Sequence, residues 1–193
     1  MGLILGKITV ETPKYDVIRS TADYEIHKYT PSVIAEVPYD PSQFMGKKDG
    51  GFMVLANYIG AVGNPQNTKP EKIVMTALVI TKGSGGEKVA NDSSYCDYQA
   101  DEKMVTMQFL LPAKYKMAEK APQPVVIREE GTYVVDRFGG LASEKVVEEK
   151  VEKLKKWLEK DGYKIIGEFQ LARYNPPWTL PSLRTNEDMI PVE

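Results

Sequence analysis

VVIREEGTYVVDRF, residues 125–138, reads as strand, turn, strand. β-Branched and aromatic residues stand on both sides of Gly131, a residue at which a chain can reverse. The next stretch, FGGLASEKVVEEKVEKLKKWLEKDG, changes period. Gly139 and Gly140 let the chain leave the strand, and Ser143 is placed to cap a helix. Val146, Val147, Val151, Leu154 and Leu158 then form one apolar stripe, and Gly162 can stop it. Lysines and glutamates fill the other side at helical spacing, which supports the helix and solvates it. YKIIGEFQLARY, residues 163–174, returns to strand character.

The same order occurs earlier. Residues 26–37 (IHKYTPSVIAEV) lie in register over residues 127–138, again strand, tight turn, strand. Phe52, Leu55, Ala56 and Ile59 follow at i, i+3, i+4, i+7, a helix ending near Gly60 or Gly63. KIVMTALVIT is a strand of nearly unbroken hydrophobicity, residues 82–102 form a polar loop, and MVTMQFLLP is its partner strand. A divergent duplication of ββαβ type follows, with repeats over about 15–111 and 124–193. The expected fold is α+β: a twisted, barrel-like antiparallel sheet built from two pseudo-repeats, flanked by two helices, as one domain over 1–193. A groove between a helix and a curved sheet is where a ligand is expected.

Composition narrows function by exclusion. The chain has 193 residues and a net charge of −2, and no basic patch interleaved with aromatics speaks for nucleic acid. One cysteine, Cys96, and one histidine, His27, leave little for disulfides or transition metals. Cys96 lies among Asp92, Asp97 and Asp101, which favour the neutral thiol. The alternation in YEIHKY suggests a half-exposed strand, so His27 is read as a rim histidine, with iron ligation the weaker reading. MGLILGKITVE is too short an apolar run for a signal peptide, and Gly6 stands where myristoylation wants Ser or Thr. No run approaches a membrane span. The expectation is a cytoplasmic protein. No serine elbow, zinc-protease helix or P-loop occurs, so the sequence speaks for binding rather than catalysis.

The first helix differs from the second. Met53, Val54 and Tyr58 make it apolar on more than one side, which fits either a deeply buried helix or one that packs on the sheet and also lines a groove. The closing segment, LARYNPPWTLPSLRTNEDMIP, holds four prolines, Trp178, Leu180 and Leu183, and reads as a last strand with its exit loop.

Taken together, KIVMTALVITK, FGGLASE and ARYNPPWTLPSLRTNEDMIPVE resemble three motifs of the SOUL/heme-binding protein family, in the right order. The opening GKITVETPKYDVI is similar to that of plant cytosolic members. The resemblance implies a barrel-like β-structure with two helices, shared with effector-binding domains of bacterial regulators. It also implies non-covalent, non-enzymatic binding of heme or another tetrapyrrole as a cytosolic carrier or buffer, with a heme-handling protein as candidate partner. Phe52, Met53, Leu55, Ala56 and Ile59 would form one wall of the cleft, and Trp178 and Leu180 the other. Arg184 is the leading cation for the propionates, ahead of Lys47, Lys48 and Arg173. Leu78 stands where the family's strand motif has proline, and Asp49, Asn57 and Thr179 where relatives carry basic residues. Two other readings are a protein-interaction module with incidental porphyrin affinity and, behind it, a recruited small-molecule enzyme.

Overall fold

The computed structural model describes residues 11–40, 50–83, 104–115, 126–128, 131–175 and 179–193. Lys47, Lys48, Cys96 and Trp178 lie outside them, as does most of the polar loop.

Nine strands and two helices follow in the order β1 (Tyr15–Ser20), β2 (Glu25–Tyr29), β3 (Ser32–Tyr39), α1 (Gly50–Ile59), β4 (Val79–Gly83), β5 (Val105–Leu110), β6 (Val126–Arg128), β7 (Gly131–Gly139), α2 (Glu144–Asp161), β8 (Gln170–Arg173) and β9 (Thr185–Pro191). Both helices form where the periodicity places them. The Ser143 hydroxyl accepts from the Val146 amide, and Gly162, at φ 77°, closes α2 in the left-handed conformation. Val147, Val151, Leu154 and Leu158 are its buried stripe. Near the start of α1, Gly51 lies so close to Tyr39 that a Cβ would stand 2.7 Å from its ring.

All strands join one antiparallel sheet in the order β1-β2-β7-β9-β8-β4-β5-β3-β6. Apart from the extra edge strand β1, the order is symmetric about the β8–β4 pair: β9, β7 and β2 follow on one side, β5, β3 and β6 on the other. The tight turns expected within residues 26–37 and 127–138 do not close hairpins. Instead β2 pairs with β7 and β3 with β6. Between β2 and β3 stand Thr30 and Pro31, neither of which supplies the positive φ that a two-residue hairpin needs. β1 and β6 are the two edges, so among the described residues the sheet is open rather than closed as a barrel.

Alternation along the strands divides the core. On one face, α1 packs over β3 and β5, with Leu55, Tyr58 and Ile59 against Val33, Met107 and Phe109. α2 packs on the other half of the same face, its stripe meeting Ile26, Val134, Leu171 and Ile190. A third cluster, among it Tyr29, Ile34, Ile80, Ala172 and Met189, occupies the opposite face. These residues come from strands across nearly the whole sheet.

The closing segment differs from its expected form. It holds the end of β8, a 3-10 turn at Pro181–Leu183 and the complete strand β9. β9 is an interior strand, paired with β7 and β8 and buried from Asn186 to Ile190.

Candidate functional site

The residues expected to line a cleft fall into three settings. Leu55, Ala56 and Ile59 are buried in the helix–sheet core. Phe52 is partly buried, edge-on to Phe109 with ring centroids 5.4 Å apart. Met53 and Val54 face outward, 53% and 47% exposed. The described helix α1 contains no charged residue. That makes it the reverse of α2, whose outward side is lysine and glutamate. An uncharged, outward apolar helix side costs solvation without gaining internal packing.

The C-terminal residues sit in the loop joining β8 to β9. Leu180 is 55% exposed, and the turn after it packs near β7 rather than on α1. Arg184 is half-buried. Its Nε donates to the Thr179 carbonyl at 2.9 Å, and its own carbonyl accepts from the Gly140 amide at 3.2 Å. Arg184 therefore ties its loop down and anchors the strand-to-helix turn after β7. Its sequence neighbour Glu187 is served by Arg137, whose Nε and Nη2 donate at 2.8 and 2.6 Å, and by the Tyr174 hydroxyl at 2.7 Å. Burial opposes the charge on Arg137, but the Glu187 carboxylate more than offsets it and raises the guanidinium pKa. Burial first, then the Glu187 charge, keeps the Tyr174 phenol neutral far above its usual range.

His27 is not at a rim. It is 0% exposed. Tyr15 stacks on its ring at 4.0 Å with planes 8° apart, Nε2 contacts the Glu25 carboxylate at 2.8 Å, and Nδ1 contacts the Tyr29 hydroxyl at 3.2 Å. The alternation is real, but on the polar side of β2 the ring of Tyr15, from edge strand β1, covers His27. With both ring nitrogens occupied, His27 offers no atom to iron. The Glu25 carboxyl is held below the usual carboxylate range, chiefly by that contact with His27.

Asp188 is a second buried group, and the sequence pattern does not single it out as a site residue. It is 0% exposed, and among the described residues neither carboxylate oxygen has a hydrogen-bond partner. It stands on the α2 face directly opposite Asp136, whose carboxylate Lys150 of α2 holds at 2.9 Å. Burial, reinforced by the Asp136 charge, pushes its pKa up to about 7, although Lys150 pulls the other way. Its signal is the run Glu187-Asp188-Met189-Ile190: a strand without alternation is covered on both faces, carboxylates included.

Among the described residues, no group of three or more His, Cys, Asp or Glu side chains converges as a metal site would, and no helix is long and apolar enough to cross a membrane. The fold is similar to that of the EcmrR C-terminal domain: TM-score 0.52, 13% identity, 93% of this chain and 98% of that one. EcmrR in its DNA complex gives 0.54 at 15% identity, covering 88% of this chain and 57% of that one. A hydrolase encoded by lin2189 from Listeria innocua gives 0.51 at 17%, covering 89% and 92%. At such identities the likeness is one of fold alone. No curated protein matches the sequence. The family model described as SOUL heme-binding protein matches residues 10–191. The chain thus belongs to the SOUL heme-binding protein family.

Proposed function

We propose that this protein binds heme or a related tetrapyrrole non-covalently and without catalysis, as a cytosolic carrier or buffer. The apolar outer side of α1, Met53 and Val54, is the surface that takes the disc. Family membership supports the ligand class, and the single observation that carries the location is the contrast between the uncharged α1 and the charged α2. The symmetric strand order is in keeping with one duplicated domain, repeats over about 15–111 and 124–193. Arg184, the expected cation for the propionates, is already tied to its own loop through the bond from Nε to the Thr179 carbonyl. A second reading, a protein-interaction module, draws on the same exposed Met53 and Val54. Pull-down with and without added heme separates the two.

The test is a hemin titration of the parent protein and a Met53→Glu, Val54→Glu double variant, followed by the Soret band. Burying the exposed halves of these two side chains contributes roughly 2 kcal/mol, a factor of about 30 in Kd. The variant should therefore lose at least tenfold in affinity while melting like the parent, because both positions are solvent-facing. Equal affinity in the two proteins would remove α1 from the site.

A further inference from the structure

We propose that the groove over the β8–β4 pair is a second binding site, for a small aromatic amine. It lies on the helix-bearing face, where α1 covers β3 and β5, and α2 covers the β7–β9 side. Between them Thr81 pairs with Leu171 across β4 and β8, and Gly83 with Val105 across β4 and β5. A cavity of about 200 Å³ opens there. Leu171 and Gly83 lie on its sheet side and Val147 on its α2 side, with Val105 and Phe169 completing an apolar lining.

Size and charge define the ligand. An apolar cavity of roughly 150 Å³ holds one benzene, whereas sites for drug-sized ligands run from roughly 300 Å³ upward. This groove accepts one aromatic ring with a short substituent and excludes a porphyrin. Three charged residues line it: Glu144, Glu148 and Arg173. Arg173 is half-buried and already engaged, and Glu144 stands in the first turn of α2, where the helix dipole favours its charge. Glu148 is exposed and makes no ion pair or hydrogen bond among the described residues. The available charge is therefore negative, beside an apolar slot for a ring, which matches an arylalkylamine. The site is distinct from the α1 surface and does not depend on tetrapyrrole binding.

Gly83 supplies the decisive variant. It has no positive φ, and a Cβ added there meets nothing within 4 Å, so Gly83→Leu fills the groove without a clash at its Cβ. Backbone amide shifts would be followed by NMR as 2-phenylethylamine is added, with 2-phenylethanol and 3-phenylpropanoate as neutral and anionic comparators. The amine should shift the amides of Val105, Val147 and Leu171 at low millimolar concentration, at least fivefold more tightly than the alcohol, and the acid should be weakest. Gly83→Leu should weaken the amine at least tenfold with hemin binding unchanged, and Glu148→Gln should abolish the preference for amine over alcohol. No shifts with the amine, shifts that persist in Gly83→Leu, or an alcohol bound as tightly as the amine would each overturn the proposal.

Discussion

Replacing Asp188 by asparagine should change how stability depends on pH. In the folded protein this carboxyl has no hydrogen-bond donor among the described residues, faces Asp136 and is pushed up to about 7; in the unfolded chain it titrates near 3.9. A group raised on folding stabilises fully while protonated in both states, and that contribution is lost as pH rises through the folded value. The loss amounts to about 4 kcal/mol over the whole interval, of which about 3 kcal/mol falls between about pH 5 and about pH 8. An amide cannot ionise, so Asp188→Asn lacks this slope. The amide carries costs of its own in a site without partners, about 1–3 kcal/mol, but those do not vary with pH. The informative quantity is therefore the double difference: urea unfolding of both proteins at the two pH values. Asp188→Asn should gain about 3 kcal/mol relative to the parent protein on going from the lower to the higher pH. If the two stabilities run parallel within about 0.5 kcal/mol, the uncertainty of such extrapolations, Asp188 does not sit as an unpartnered acid under α2.

Arg137→Met leaves the fully buried Glu187 with Tyr174 and no cation. Because Arg137 is itself half-exposed, the expected loss is about 2–3 kcal/mol, below that of a wholly buried pair, read as a lower urea midpoint. Leu154→Ala, at a position with 0% exposure in the α2 stripe, should cost about 3 kcal/mol through the cavity it leaves, and thermal unfolding checks this. His27→Gln should destabilise the protein by loosening the Tyr15 stack and the contacts to Glu25 and Tyr29, yet leave the hemin Soret position unchanged. A shifted Soret band in the folded variant would place His27 on the iron after all.

Local features of this fold are open to reading from sequence, and pairings are not. α2 is legible because cap, stripe and stop agree: Ser143, the Val147–Val151–Leu154–Leu158 spacing and Gly162 all point to one helix. α1 is legible too, ending at Gly60 as its period requires. Partner choice is hidden because a period of two says which residues share a face and not which strand lies beside them; β2 could have met β3 and instead meets β7. For the same reason β2 reads as a half-exposed strand with His27 at its rim, whereas Tyr15 stacks over His27 and leaves it no exposure. The expected cleft residues Leu55, Ala56 and Ile59 show the limit from the other side. An apolar stripe is the same whether it meets a sheet or a ligand, and here it meets the sheet. The residues left to face outward, Met53 and Val54, stand between the stripe positions, where the period assigns no partner.

Tetrapyrrole binding on the outer side of α1 is tested most directly by comparing hemin with metal-free protoporphyrin on the unmodified protein. With the ligand held by burial of the disc and not by an iron bond, both should bind at micromolar concentration with similar strength and each should displace the other. Failure of both ligands to bind, or tight binding of hemin with none of the metal-free ring, would contradict the account.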